Sequence, residues 1–337
     1  MLTLVSRRFA VSVATIVGAS IFSFVVLRKL PGDPAQLVAG QDAPASTVAS
    51  LRRSMGLTGS LPEQYERYLS QLVHGNLGFS YSQGQNVSTL IRVRLPATIE
   101  LGLTGLVLAI GLALISAGWA VYSRRRGADV TLRTASSVAM GTPTFWLALV
   151  LILLLSLKVG VFPGPEGRLS SNINPPPNIT GLYTVDALLS GQISTFFNAV
   201  WHLLLPGFVI AVAPFAFLSR LFRAQLRTTL REPFITVQRS QGLTRRQAFL
   251  RHAVPNSMLA LIPASALLFA ELLTGSVLVE KIFAWPGVGA MTVDAIEQKD
   301  FAVVQGVILL STLFYVLISM LADVVHTTID PRLRVGR

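Results

Sequence analysis

Apolar side chains gather into six stretches long enough to cross a membrane: Ala10–Leu27, Thr98–Val121, Ala135–Leu157, Ala199–Leu218, Ser257–Val279 and Val303–Val325. A hydrocarbon layer of about 30 Å needs about 20 helical residues, each rising about 1.5 Å. The pattern predicts an all-α integral membrane protein with six transmembrane helices. Arg7-Arg8 precede the first stretch and Arg28-Lys29 follow it, with no small-residue cleavage site between. It is therefore expected to stay as an anchor rather than be removed as a signal peptide.

The polar segments between these spans are unequal. One runs from about Pro31 to Pro96, and its Leu61, Tyr65, Tyr68, Leu69 and Leu72 recur at helical spacing, with Pro62 suited to a first turn. Another, from about Gly160 to Asn198, is rich in Pro, Gly and Asn, includes Pro175-Pro-Pro177, and reads as irregular loop. The expected division is an N-terminal span with its extracytoplasmic region over 1–94, and a five-helix core over 95–337. A third segment, Arg231 to Pro255, is basic, short and not suited to hydrocarbon.

Composition narrows the class. Only 13% of the 337 residues are charged, against about 25% in a soluble domain. The net charge of +12 could mean nucleic acid, but in so apolar a chain it fits a basic cytoplasmic face better. Arg7, Arg8, the triplet Arg124-Arg125-Arg126, Arg133, the arginines from Arg220 to Arg251, and Arg332, Arg334 and Arg337 all share one side if both termini are cytoplasmic. The positive-inside rule favours that orientation.

Several chemistries are missing. There is no cysteine, so no thiol nucleophile or Cys-based metal site. None of the four lysines, Lys29, Lys158, Lys281 and Lys299, follows a glycine, which excludes a G-x-x-x-x-G-K-[ST] phosphate loop. Any ATP and magnesium used in transport must be bound by another polypeptide. His74, His202, His252 and His326 have no metal-binding spacing. Inside the spans the titratable positions singled out are Glu271 and Asp323. A charge at a helix centre costs about 2.5–3.5 kcal/mol on insertion scales. Glu271 must then face protein, water or substrate, as a contact in a translocation cavity or as a structural hydrogen bond.

The basic segment reads as helix, stop and restart. Pro233 suits a first turn. Phe234, Val237 and Gln241 share one face, with Ile235 beside it. Gly242 follows where a left-handed residue is needed. Thr244 and Gln247 form a capping box for a second helix through Phe249 and Leu250 to His252, and Pro255 marks entry into the fifth span. A helix of about two turns is marginal alone. Two readings stand level: a docking site for a soluble partner, or a basic loop lying on anionic lipid.

Spacing separates them. Gly242 followed, after nine residues, by His252-Ala-Val-Pro255 resembles the cytoplasmic EAA-loop signature of ABC importer permeases. Leu95-Pro-Ala-Thr-Ile-Glu-Leu101, Gly141-Thr-Pro-Thr-Phe-Trp-Leu147, Trp285-Pro-Gly287, Val303-Val-Gln-Gly306 and Asp330-Pro-Arg332 resemble the dipeptide/oligopeptide branch, as do Asp33-Pro34 and Gly75-Asn-Leu-Gly78. Thr236-Val-Gln238 stands where the wider superfamily has E-A-A, so the glutamate's role does not carry over. The resemblance implies a type I importer permease fold in a bacterial cytoplasmic membrane. A coupling helix at about 233–242 would meet an ATPase through Phe234, Ile235, Val237, Gln238, Arg239, Gly242, Leu243 and Arg246. The implied partners are a second homologous permease, two ABC ATPase subunits that hold ATP and magnesium, and an extracytoplasmic peptide-binding protein. Permeases of this family also serve glutathione or nickel complexes. A stand-alone secondary transporter is the alternative from another class.

Overall fold

The computed structural model describes residues 2–29, 33–40, 42–123 and 125–329. Arg124, the Asp330-Pro-Arg332 motif, the C-terminal arginines and the side chain of Asp323 lie outside the described residues. In chain order the elements begin with α1 (Leu2–Lys29), α2 (Pro34–Ala39), α3 (Ala45–Ser54) and α4 (Leu61–Val73). A two-stranded antiparallel hairpin follows, β1 (Phe79–Ser80) and β2 (Gln85–Asn86), pairing Phe79 with Asn86 and Ser80 with Gln85. Then come α5 (Val87–Ser123), α6 (Arg126–Gly141), α7 (Thr144–Leu151) with a π-helical continuation Ile152–Lys158, α8 (Tyr183–Leu189) and α9 (Ile193–Thr229). The chain continues through α10 (Pro233–Ser240), α11 (Arg245–Gln247) with a π-helical segment Ala248–Ala253, α12 (Val254–Met258) and α13 (Leu261–Gly275). It ends with α14 (Val277–Ile282), α15 (Val288–Glu297) and α16 (Phe301–Ile329).

Among the described residues, α1, α5, α9 and α16 are each long and apolar enough to span a membrane. Two bent helix pairs raise the number of candidate spans to six if each pair counts as one span. The third span, expected as one helix over Ala135–Leu157, is instead α6 and α7 meeting at 102°. Pro143 is the N-cap of α7, and Thr142 before it is extended, as a residue preceding proline prefers. The fifth span is also bent, by 49°, between α12 and α13. Helix runs through Pro255, which sits in the first turn of α12. The break falls at Leu259–Ala260, where Pro263 has no N–H to return to the Leu259 carbonyl. Gly160–Asn198 is not wholly irregular, because α8 and the first turn of α9 lie within it.

Two compact units share these elements. One comprises Met1–Pro96 with Pro286–Val316. Its core joins Val87, Leu90 and Ile91 to Met291, Ala295, Val303 and Val307. Gly306 is required there, since a Cβ would come within 2.7 Å of Val87 Cγ1. Asp300 takes hydrogen bonds from the hydroxyls of Ser80 (2.7 Å) and Ser82 (2.6 Å), which ties the hairpin to the start of α16. The α4 helix starts with a Ser60/Glu63 capping box, and its Tyr65 and Tyr68 pack on Phe24.

The other unit comprises Ala97–Trp285 with Leu317–Arg337. On α5 a run of Ala109, Ala113, Ala117 and Ala120 is buried against Leu218, Phe222 and Leu226 of α9. Small residues at helical spacing let two backbones approach closely in a membrane, where packing rather than hydrophobic burial drives association. The Ser136 and Ser219 hydroxyls meet at 3.0 Å between α6 and α9.

Candidate functional site

The α10 helix opens on Pro233, behind the N-cap Glu232. It closes with paired bonds, Gly242 N–H to the Arg239 carbonyl (3.1 Å) and Leu243 N–H to the Gln238 carbonyl (3.3 Å). That pair is a Schellman closure, which needs a left-handed residue between its two bonds. Gly242 supplies it at φ +94. Thr244 then begins the next helix, its hydroxyl oxygen accepting from the Gln247 backbone N–H while the Gln247 side-chain Oε1 accepts from the Thr244 backbone N–H at 2.9 Å.

The helix thus has two different faces. Ile235 is buried, 4% exposed, in the cluster that holds Phe222 and Leu226 of α9 and Phe249 and Ala253 of the π-helical segment. Phe234 and Val237 are 39% and 52% exposed, and Arg239, Gly242 and Arg246 are exposed with them. Gln238 and Leu243 are half-buried. Of the residues expected to meet an ATPase, Ile235 is therefore turned inward as an anchor, and the others lie on or beside the open surface.

The segment is held from three sides. Arg245 donates to the Tyr122 carbonyl at the end of α5, and its guanidinium lies 4.9 Å from the centre of the Tyr122 ring. Tyr122 in turn packs on Phe249 at 5.1 Å. The Ser257 hydroxyl of α12 lies 3.1 Å from that of Thr229 at the end of α9. Asp129 of α6 binds Arg223 and Arg227 of α9, each at 2.7 Å, and Arg133 at 3.0 Å. This carboxylate braces the helix that leads into α10. In the sequence those arginines counted only toward membrane orientation, and Asp129, an isolated acid, gave no signal.

Glu271 is placed apart from this segment, on α13, with its side chain exposed. The buried glutamates of this unit lie elsewhere, at Glu100 and Glu280. Glu100 of α5 binds Arg168 at 2.7 Å and accepts from the Thr184 N–H (2.8 Å) and hydroxyl (2.6 Å). The Arg168 guanidinium also lies 3.4 Å from the centre of the Tyr183 ring and donates to the Gly181 carbonyl. Glu280, fully buried, accepts from the hydroxyls of Thr98 (2.8 Å) and Ser276 (2.9 Å). Trp285 is 1% exposed and donates its indole N–H to the Ala97 carbonyl at 2.8 Å. The Leu95–Leu101 motif is thus the receiving surface for Trp285, Glu280 and the Pro/Asn-rich segment. A charged residue one turn inside an apolar span was the available signal for Glu100.

The arrangement offers a surface helix rigidly joined to membrane helices. Among the described residues no group of His, Cys, Asp and Glu could hold a metal. Comparison with known families matches residues 109–335 to the binding-protein-dependent transport system inner membrane component. Residues 1–102 match the N-terminal part of such a membrane component. The chain is 37% identical over 328 residues to the probable D,D-dipeptide transport system permease protein DdpB of Escherichia coli K12, covering 96% of this chain and 95% of that relative. It is 33% identical to the di/tripeptide transport system permease protein DppB of Pseudomonas aeruginosa UCBPP-PA14, with 99% of both chains covered. It is 31% identical to the dipeptide transport system permease protein DppB of Escherichia coli K12, again over 99% of both. With its apolar helices, its end-to-end similarity to transport permeases and a family match across most of its length, the chain belongs to the inner membrane components of binding-protein-dependent transport systems.

Proposed function

We propose that this chain is the membrane-spanning, non-catalytic subunit of an ATP-driven importer of short peptides, and that α10 is the element through which a partner ATPase moves it. The peptide substrate rests on the relatives, whose names specify dipeptides and di- or tripeptides. The coupling role rests on one observation above all. A two-turn helix is anchored inward by Ile235 and presents Phe234, Val237 and Arg239 outward, closed by a glycine in a left-handed conformation. A second, related permease completes the pathway. Two ATPases hold ATP and magnesium, and a binding protein delivers the peptide. The basic ends of the spans face the cytoplasm, as do both termini.

The chain's own residues then act as a lever. ATPase closure displaces α10, and Ile235, packed among Phe222, Leu226 and Phe249, carries the displacement into α9 and the π-helical segment. Asp129 keeps α6 moving with α9 through Arg223 and Arg227. Shifting an alternating-access equilibrium from 1:99 to 99:1 takes about 5.5 kcal/mol of differential binding. The nucleotide-bound ATPase pair supplies it. Glu271, a charged side chain exposed on an apolar helix, lines the pathway, where water or peptide solvates it.

The test is Val237→Asp in the complete importer. Its side chain is exposed and contributes nothing to the buried cluster, so the permease should insert and fold normally. ATPase co-purification should weaken by about tenfold or more, as expected for an interface centre, and peptide uptake should fall with it. Normal assembly and uptake would remove α10 as the docking element.

A further inference from the structure

A cavity of about 500 Å³ opens in the N-terminal unit where α1 ends and α16 begins. That size lies within the range of about 300–1,000 Å³ typical of small-molecule sites. Its polar lining includes Arg28, Tyr68, Lys299, Asp300 and Gln305, and its apolar part includes Leu27 and Phe301. Gln305 is only 8% exposed, yet its Nε2 has no hydrogen-bond partner. The buried hydroxyl of Tyr68 also lacks a well-formed bond, and Gln305 is the side chain beside it. A buried donor without an acceptor costs about 1–3 kcal/mol; a contact between Gln305 and Tyr68 satisfies one of these donors and leaves the other to the cavity.

Charge points the same way. Arg28 is half-buried, lies 5.2 Å from the centre of the Phe24 ring, and has no carboxylate partner among the described residues. The charged neighbour acting on it is Arg67, another cation. Asp300, the one carboxylate of the lining, is already engaged by Ser80 and Ser82. The chemistry of the cavity is therefore cationic, with Arg28 and Lys299 in its lining beside the Tyr68 and Gln305 donors, which suits an anionic oxygen ligand.

Position selects the source of that anion. Both α1 and α16 are candidate spans, and Arg28 and Phe301 stand at their ends, the level of lipid headgroups. Tyr65 and Tyr68 packed on Phe24 form the aromatic cluster favoured at that level. Just below, Ile21, Phe22, Val25 and Val26 are exposed along α1 and offer a track for an acyl chain. We propose that the cavity seats the phosphate of an anionic phospholipid, held by Arg28, Tyr68 and Gln305. The proposal requires a membrane-spanning chain but is independent of what the importer carries. It also gives the Val303-Val-Gln-Gly306 motif a task, since Gln305 is its polar member.

The experiment uses the intact importer in phosphatidylcholine nanodiscs with increasing phosphatidylglycerol, read by native mass spectrometry and by thermal unfolding. The wild-type complex should retain phosphatidylglycerol over phosphatidylcholine and gain thermal stability from it. The double variant Tyr68→Phe/Arg28→Gln should lose retention by about tenfold, the loss expected for a charge-assisted bond. Tyr68→Phe alone removes a hydroxyl that makes no well-formed bond within the protein. In pure phosphatidylcholine it should unfold no earlier than wild type, while losing part of the phosphatidylglycerol gain. Equal retention of the two lipids, or equal phosphatidylglycerol retention by wild type and double variant, would overturn the proposal. A third arm adds inorganic phosphate without phosphatidylglycerol. Stabilisation by phosphate with none from the lipid would assign the cavity to a free anion and overturn the lipid assignment.

Discussion

Substitution of Gly242 isolates the backbone contribution to coupling. Gly242 holds φ +94, and a Cβ added there would meet nothing within 4 Å. A side chain at this position costs no collision with neighbours, and its whole effect passes through the backbone. A residue with a Cβ pays about 1–2 kcal/mol for the left-handed conformation, and a β-branched valine stands at the upper end. The α10 helix has eight residues and little stability of its own. Such a cost lowers the population with both closing bonds, Gly242 to Arg239 and Leu243 to Gln238, by a factor of about 5–30. Those bonds set the angle between α10 and α11. Gly242→Val should therefore leave the permease in the membrane while reducing peptide-stimulated ATP hydrolysis and uptake in proteoliposomes by a similar factor. Gly242→Asn should lose much less, because asparagine enters the left-handed region with less penalty. Full activity of the valine variant would refute the argument. So would equal losses for valine and asparagine, which would assign the effect to side-chain bulk at a contact surface.

Two further perturbations address the frame around the lever. Asp129→Asn keeps the side-chain shape but removes the charge facing Arg223, whose side chain is only 16% exposed, together with its two half-exposed neighbours. It should cost about 1.5–3 kcal/mol, read as a lower unfolding temperature of the purified permease, and an unchanged temperature would show that the cluster is not a brace. Asp186, in the polar segment before α9, supplies the pH dependence. Burial opposes its ionisation, but the Thr180 hydroxyl and the N–H groups of Thr180, Gly181 and Ile179 outweigh it and hold the carboxyl below its usual range. Its stabilisation is complete above the unfolded value of about 3.9 and is lost as pH falls through the lower folded value. Hydrogen-exchange protection of the three amides, taken relative to the intrinsic rate at each pH, should be high at neutral pH and fall below about pH 4, whereas Asp186→Asn should be weakly protected throughout. Protection retained by the asparagine variant would show that the carboxylate does not order this segment.

The caps of the surface helix were legible because they depend on neighbours in sequence. Pro233, Gly242 and the Thr244/Gln247 box each satisfy backbone groups within a few residues, and they stand where spacing placed them. The spans were legible from length and apolarity alone. Their bends were not. Composition does not say whether a proline continues a helix, as Pro206 and Pro214 do within α9, or accompanies a break, as Pro143 does. That outcome depends on whether neighbouring groups satisfy the freed carbonyls.

The candidate site divides in the same way. Sequence placed Phe234, Ile235 and Val237 together on a short helix, but only packing turned Ile235 into the core and left the other two outside. Glu271 was visible as a charge in an apolar run, whereas Glu100 and Glu280 became significant through partners 68 and 182 positions away. By itself the sequence determined a multi-pass helical membrane protein with a basic, capped surface helix and no nucleotide loop, since hydropathy, charge and capping are local. Tertiary structure decided which acids are buried, where the spans bend and which face of the lever is open. Those properties arise from contacts between residues far apart in the chain, and no local pattern encodes them.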